Sequence, residues 1–282
     1  MTAARGGVGR LVVCPTPIGN LEDVTLRVLQ ARSAADVVAC EDTRRTRKLL
    51  ERHGLRASLL SFHEHNERER ARALIERMHA GERVALVSDS GTPLVSDPGF
   101  SLVRRCLEQG LGVEVLPGPS AVVTGLVASG LPLRRWSFAG FLPRRRAELE
   151  RLLDGATETL VAFESPQRLA QSLSVLAERD PTRAVAVCRE LTKLHEEVRR
   201  GRAAELAQHY RRESARGEIV LVVGPPAPSP GAAGYAKREE ALEALRALVQ
   251  AGARARPAAA ALAKLAGLNA NDLYRGLTSE GQ

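Results

Sequence analysis

No uncharged apolar run in this chain reaches the ~18 residues that a membrane-spanning helix needs, so no membrane partner is expected. The opening MTAARGGVGR has no apolar core of the signal-peptide kind, and residues 1–9 read as a short loose tail. Cysteine is sparse. Cys14, Cys40, Cys106 and Cys188 stand far apart and mostly within apolar runs, the pattern of buried thiols in a reducing, cytoplasmic compartment. No CxxC pair or disulfide framework is present, and His63-Glu64-His65 alternates instead of keeping HExxH spacing, so no metal is expected. Missing too are a GxGxxG after the first apolar run, a GxxxxGK[ST] loop and a GxSxG elbow. Dinucleotide, P-loop and serine-hydrolase readings therefore have no support in the sequence.

What is present is a chain of 282 residues with 44% apolar content, enough for two well-filled domains. Its formal charge of +8 suits a polyanionic partner such as nucleic acid, although an arginine-rich solvated surface gives the same number.

The apolar pattern alternates between short runs and helical stripes. Leu11–Cys14, Asp36–Cys40, Ser58–Phe62, Val84–Ser88 and Gly112–Leu116 read as strands. Between them Thr25–Ala34, Thr46–His53, Glu67–His79 and Pro98–Gln109 read as helices, and Ala121–Ser129 as another. That alternation predicts a parallel sheet covered on both faces. The second half changes rhythm. Ser137–Gly140, Thr159–Phe163, Ala184–Cys188 and Glu218–Val223 read as strands, with helices at Gln167–Glu178 and Ala203–Arg212. PPAPSPGAAG reads as a linker. A helix over Lys237–Gln250 and a helix-turn-helix-like unit over Arg254–Leu277 follow it. The fold class expected is α/β: two α/β domains with a cleft between them, plus a small C-terminal helical unit. The boundaries expected are 10–118, 119–224, a linker at 225–236 and a helical domain at 237–282.

Polar and glycine-bearing stretches follow the strands. They are PTPIGN (15–20), EDTRRT (41–46), SDSGTPLVSDPG (88–99), PGPSA (117–121), ESPQR (164–168) and RELTK (189–193). Ligands of open parallel sheets bind where such loops converge, at the carboxyl ends of strands. Glycine there permits close approach of backbone to a ligand, while Asp89, Ser90 and Thr92 offer hydrogen bonds. Ordinary turn chemistry accounts for any one of these loops, but not readily for six at strand ends. The carboxylates Glu41, Asp42, Asp89, Asp97 and Glu164 suit acid–base work, arginine pairing or helix capping equally.

Taken in order, PTPIGN, EDTR, SDSGTPLVSDPG, PGPSA, GFLP, ESPQR, RELTK and GEIVLVV resemble the tetrapyrrole (corrin/porphyrin) methylase superfamily, and in it the branch that methylates ribosomal RNA. The resemblance covers roughly residues 10 to 225. It implies S-adenosylmethionine as methyl donor, transfer to the ribose 2′-hydroxyl of a cytidine in 16S rRNA of the small ribosomal subunit, and a homodimer. By motif it implies donor contacts at Pro17, Asp89, Ser90, Gly91, Thr92, Val95, Ser120, Ala121, Phe163 and Leu191. A neutral ribose hydroxyl is a poor nucleophile, so a proton acceptor is expected, with Asp97, Glu164 and Lys193 as candidates. Each has a bland counterpart: Asp97 as a cap before Pro98, Glu164 as partner of Arg168, Lys193 as partner of Glu196 or Glu197. For RNA phosphate the candidates are Arg44, Arg45, Arg47 and Arg144, Arg145, Arg146, the last three standing where relatives often carry lysines. Pairing of the last group with Glu148 and Glu150 is the surface alternative. Two rival functions fit the same residues. A methylase of a small-molecule tetrapyrrole or corrin would not need these arginine clusters, and a non-enzymatic RNA-binding assembly factor would bind without transferring methyl. A DNA regulator is disfavoured, because Asn269-Ala270-Asn271-Asp272 would bring negative charge to phosphate.

Overall fold

The computed structural model describes residues 8–227 and 230–278, with side chains at 8–227 and 238–277. The chain divides into two compact units, 1–225 and 226–282.

In the first unit, five strands make an all-parallel sheet in the order β3-β2-β4-β1-β5. They are β1 (Arg10–Cys14), β2 (Val37–Cys40), β3 (Leu59–Ser61), β4 (Arg83–Val87) and β5 (Gly112–Val115). The crossovers are α1 (Leu26–Ser33), α2 (Thr43–Arg52), α3 (Glu67–His79) and α4 (Phe100–Glu108). Alternate side chains of one strand serve opposite faces, as the pleat requires. Leu11 and Val13 pack with Leu74, Met78 and Leu102 of α3 and α4, while Val12 and Cys14 pack with Val28 of α1. Both faces are therefore buried, which is why these strands read as continuous apolar runs.

After α5 (Ala121–Ser129) a second, mixed sheet runs β6-β7-β10-β8-β9. Its strands are β6 (Trp136–Phe141), β7 (Thr159–Glu164), β8 (Ala184–Arg189), β9 (Glu197–Arg202) and β10 (Ile219–Val223), with only β6 and β7 parallel. Helices α6 (Arg146–Gly155), α7 (Pro166–Arg179) and α8 (Ala203–Arg212) lie on one face and α5 on the other. The α5 core also takes in Ile18, Val95 and Leu191, so three of the polar loops are anchored by apolar side chains to the second sheet.

Several boundaries depart from expectation for identifiable reasons. The Asp42 carboxylate accepts the Arg44 N–H at 2.8 Å, so α2 starts at Thr43 and not at Thr46. Helix α4 starts at Phe100 and not at Pro98, and its cap comes from another element. Glu67 Oε1 accepts from Gly99 N (3.3 Å), Ser101 N (3.2 Å) and Ser101 Oγ (2.5 Å). Asp97 is therefore not the cap of this helix. Two elements had no counterpart in the sequence reading. The apolar positions of α6 are crowded by charge, and β9, EVRRGR, is an arginine-rich edge strand with no apolar alternation. Of the expected tail, residues 1–7 lie outside the described residues, and Gly9 is not loose: it is buried and donates to Met78 O at 2.8 Å.

The second unit holds α9 (Pro230–Gln250), α10 (Ala255–Ala266) and α11 (Ala270–Thr278). Of the expected linker at 225–236, positions 228–229 lie outside the described residues, and the chain is already helical from Pro230. Leu242, Leu245, Ala259, Ala263 and Leu273 form its core. Gly267, with φ +68°, ends α10, and the Asn269 side chain accepts the Asn271 N–H at 2.9 Å to start α11. No helix of the described residues is long and apolar enough to cross a membrane.

Candidate active site

The chain beyond β4 is held open by its own backbone. Thr16 and Gly91 exchange both N–H···O bonds, at 2.8 and 3.0 Å, which ties PTPIGN to SDSGTP. Ser88 Oγ donates to Gly91 O at 3.0 Å, and Thr92 Oγ1 donates to Pro119 O at 3.0 Å, adding the PGPSA loop. Gly91 has φ +79°, and a Cβ there would stand 3.3 Å from Ile18. Leu94 and Ser96 also hold positive φ, of 72° and 66°, a strained backbone for residues with side chains. This stretch turns Val95 and Asp97 toward a cavity of about 450 Å³.

All six polar loops contribute to that cavity. Of the donor contacts implied by motif, Asp89, Ser90, Gly91, Thr92 and Val95 line it from the β4 loop. Ser120 and Ala121 line it at the start of α5, where the Ser120 side chain makes no cap bond and helix geometry leaves the first-turn N–H groups without intrahelical partners. Phe163 lines it from β7 and Leu191 from the loop after β8. Pro17 does not; it borders a second cavity alongside. Glu41, one of the carboxylates offered for acid–base work, lines the first cavity too, whereas sequence reasoning missed Ile18, Ser96, Phe141 and the Gly217–Val220 strand entrance. One of the missed residues had a signal: Phe141 sits in GFLP. The GEIVLVV stretch reads only as a buried strand, and its lining role depends on which strand lies beside β7. Phe141 and Phe163 rings lie 5.4 Å apart, and Phe138 sits edge-on to Phe163 at 5.1 Å, an aromatic wall.

The three candidate proton acceptors differ sharply. Asp97 is half-buried on the cavity wall, and burial, then the Glu41 and Asp89 charges, push its pKa up to about 6 against the pull of the Ser88 hydroxyl. Burial and Asp89 raise Glu41 as well. Glu164 borders the same cavity, yet its carboxylate is buried and accepts from Ser165 N at 2.7 Å and Ser172 Oγ at 2.5 Å, with Arg168 at 3.4 Å. Lys193 faces the second cavity and holds Glu190 at 2.8 Å and Glu218 at 3.1 Å, not Glu196 or Glu197. Glu196 instead accepts the Thr192 N–H at 2.6 Å, and Glu197 pairs with Arg189 and Arg199.

The arginines also divide. Arg45 borders both cavities and lies 3.5 Å from Asp89, whose other oxygen accepts the Asp42 N–H at 2.9 Å. Arg44 is clasped to Asp42 at 2.9 Å, which holds the Asp42 carboxyl at a pKa of about 2. Arg145 pairs with Glu148 at 3.5 Å, and Arg146 with Glu150 at 2.9 Å and with Glu178. Arg47 and Arg144 are exposed and make no ion pair among the described residues. Among those residues, no group of three His, Cys, Asp or Glu is placed to hold a metal ion.

Residues 10–207 match the family described as tetrapyrrole (corrin/porphyrin) methylases. The chain is 46% identical to ribosomal RNA small subunit methyltransferase I of Mesorhizobium japonicum, over 95% of this chain and 90% of that one. It is 40% identical to the protein of the same name from Escherichia coli O157:H7, over 97% and 96%. Among solved structures it resembles uroporphyrin-III C-methyl transferase from Thermus thermophilus, complexed with S-adenyl homocysteine. There the TM-score is 0.55 at 22% identity, covering 77% of this chain and 97% of that one, a likeness of fold.

Proposed function

This chain belongs to the tetrapyrrole methylase family, in its ribosomal RNA small subunit methyltransferase I group, and from that premise we propose that it moves a methyl group from S-adenosylmethionine to the ribose 2′-hydroxyl of a cytidine in 16S rRNA. The observation that carries the reading is one cavity in which six motif loops bring bare backbone, an aromatic wall and a carboxylate with a raised pKa together.

The cavity suits that donor. Val95, Leu191 and the Phe163 ring offer an apolar and aromatic surface for a purine. The first-turn N–H groups at the start of α5 suit a carboxylate. Asp89, fixed by the Asp42 N–H and Arg45, offers an oxygen to hydroxyl or amino groups. The bound donor supplies an electrophilic sulfonium methyl. The chain's own task is to align an oxygen with it and to remove a proton. Asp97 takes the 2′-hydroxyl proton: it is ionised above its pKa of about 6, yet basic enough to accept. Glu164 and Lys193 already spend their charges inside the fold, and we assign them to structure.

RNA phosphates meet Arg47 and Arg144 first, since Arg44, Arg145 and Arg146 already hold carboxylates. A homodimer accords with Val123 and Val127, one turn apart on α5 and 50% and 61% exposed. Light scattering of the purified chain then gives twice the monomer mass, and monomer mass refutes the dimer. Substrates of this kind are met in the cytoplasm.

The deciding experiment offers isotopically labelled S-adenosylmethionine to small ribosomal subunits lacking the modification and maps the label. Label on one cytidine 2′-oxygen is the expected result. Measurable donor binding with no label on subunits or free RNA overturns the reading.

A further inference from the structure

The second cavity, about 430 Å³, shares Arg45, Asp89 and Glu218 with the first and has Arg32 in its wall. Arg32 lies in the last turn of α1 and is fully buried. All three of its guanidinium nitrogens lack a hydrogen-bond partner. A guanidinium remains protonated in such a place, and a buried cation without an acceptor is strongly unfavourable.

The fold does not neutralise it. The groups that act on it are the Cys14 and Cys40 thiols, which donate to Val12 O at 3.6 Å and Leu60 O at 3.8 Å. Burial pushes Cys14 up to about 11 and raises Cys40 too, so both stay uncharged. Of the other cations on the cavity, Arg45 faces Asp89 at 3.5 Å and Lys193 is shared by Glu190 and Glu218. Lys48 stands exposed at the rim with no ion pair among the described residues. Two cations thus border one cavity without an acceptor, one from within and one from the rim.

We propose that this cavity seats a phosphate group, held by the Arg32 guanidinium from the wall and by Lys48 at the mouth. Arg32 is closed to outside solvent and belongs to the cavity wall, so an occupant reaches it only from the cavity side. Phosphate fits this pair better than a carboxylate does, because its oxygens point in enough directions to engage a planar fork and a separate ammonium together. A shared wall with the first cavity also matches a sugar that carries its own phosphate. That last step alone rests on the RNA reading; the seat does not.

The test uses the full chain and inorganic phosphate. Its melting temperature is compared in phosphate and in chloride at equal ionic strength. Phosphate raises the melting temperature of the unaltered chain. Arg32→Leu removes the rise, and in chloride it melts above the unaltered chain because an unpaired buried charge is gone. Lys48→Ala, which leaves the core untouched, weakens phosphate binding roughly tenfold. Indifference of the unaltered chain to phosphate overturns the proposal, as does an Arg32→Leu variant that melts lower in both salts while Lys48→Ala binds phosphate normally. The occupant's source is read by binding of a ribo-oligonucleotide. If it is an RNA phosphodiester, inorganic phosphate competes with the oligonucleotide, and Arg32→Leu weakens its binding about tenfold with donor affinity unchanged. If it is free phosphate, oligonucleotide binding is unaffected while the rise persists. Either result stands whether or not methyl transfer is found.

Discussion

Asp97 and Glu164 border the same cavity, and their surroundings give them opposite work. Asp97 has lost water without gaining a counter-ion, so its acid form is favoured and its pKa rises from 3.8 to about 6. A carboxyl raised by the fold binds protons more tightly folded than unfolded. Its contribution to stability is full below pH ~4 and is lost as pH climbs through about 6. At neutral pH this ionised group costs on the order of 1–3 kcal/mol. Asp97→Asn therefore melts higher at pH 7 and loses its advantage below pH ~4, while kcat falls at least ~100-fold. In the unaltered chain kcat rises through about pH 6 to a plateau. A variant that keeps its activity removes Asp97 from the chemistry, whatever its melting temperature does. Glu164 has gained what Asp97 lacks, two hydrogen bonds and an arginine. Glu164→Ala is expected to cost ~1–3 kcal/mol in chemical denaturation, because it leaves the Ser165 N–H and the Ser172 hydroxyl without their acceptor, while Arg168 keeps the Leu142 and Pro143 carbonyls. Glu164→Gln, which keeps the shape, is expected to hold kcat within a few-fold of normal; a 100-fold loss would return Glu164 to the list of proton acceptors.

At the level of elements, the loops take their shape from neighbours distant in sequence. Glu67 opens α3, yet its carboxylate ends the β4 loop by capping α4, 32 residues on. Glu67→Ala should cost ~1–2 kcal/mol, a cap lost where a negative charge also favours the helix N-terminus, and calorimetry would show it. If the cap sets the loop, donor affinity falls as well; unchanged stability would show that α4 does not depend on Glu67. This dependence marks the limit of what the sequence reveals. Strands β1, β2 and β4 are apolar runs closed by polar loops, and the stripe Leu74, Ile75, Met78 marks α3 at its true ends. Such signals are local, so they are legible. The cap of α4, the edge strand β9 and the lining role of Ile219 and Val220 arise from pairing across the chain, and no local pattern encodes them. The site was legible for the same reason as the strands. Loops that follow parallel strands must gather at one edge, so a list of strand ends is already a list of neighbours. Which side chains remain available there was not legible. That depends on partners such as Glu178, which takes Arg146 from another helix.

For the whole molecule, an excess of 41 basic over 33 acidic residues gives the charge of +8, but only cations free of carboxylates can release counter-ions from RNA. The six arginines expected on RNA are thus unequal. Arg44, Arg45, Arg145 and Arg146 face carboxylates at 2.9–3.5 Å, whereas Arg47 and Arg144 do not. Exchange of a carboxylate for a phosphate frees little, because one ion pair is lost as another forms. The salt dependence of RNA binding should then report the unpaired arginines. Replacing Arg47 and Arg144 together by glutamine is expected to lower the slope of log affinity against log salt by roughly 1.5, at ~0.7 per single-strand contact. Arg146→Gln should leave the slope nearly unchanged and the melting temperature close to that of the unaltered chain, since its pairs are exposed. Equal losses of slope from the two variants would mean that the ion pairs open on binding. No loss from the double variant would place the RNA path on another face of the molecule.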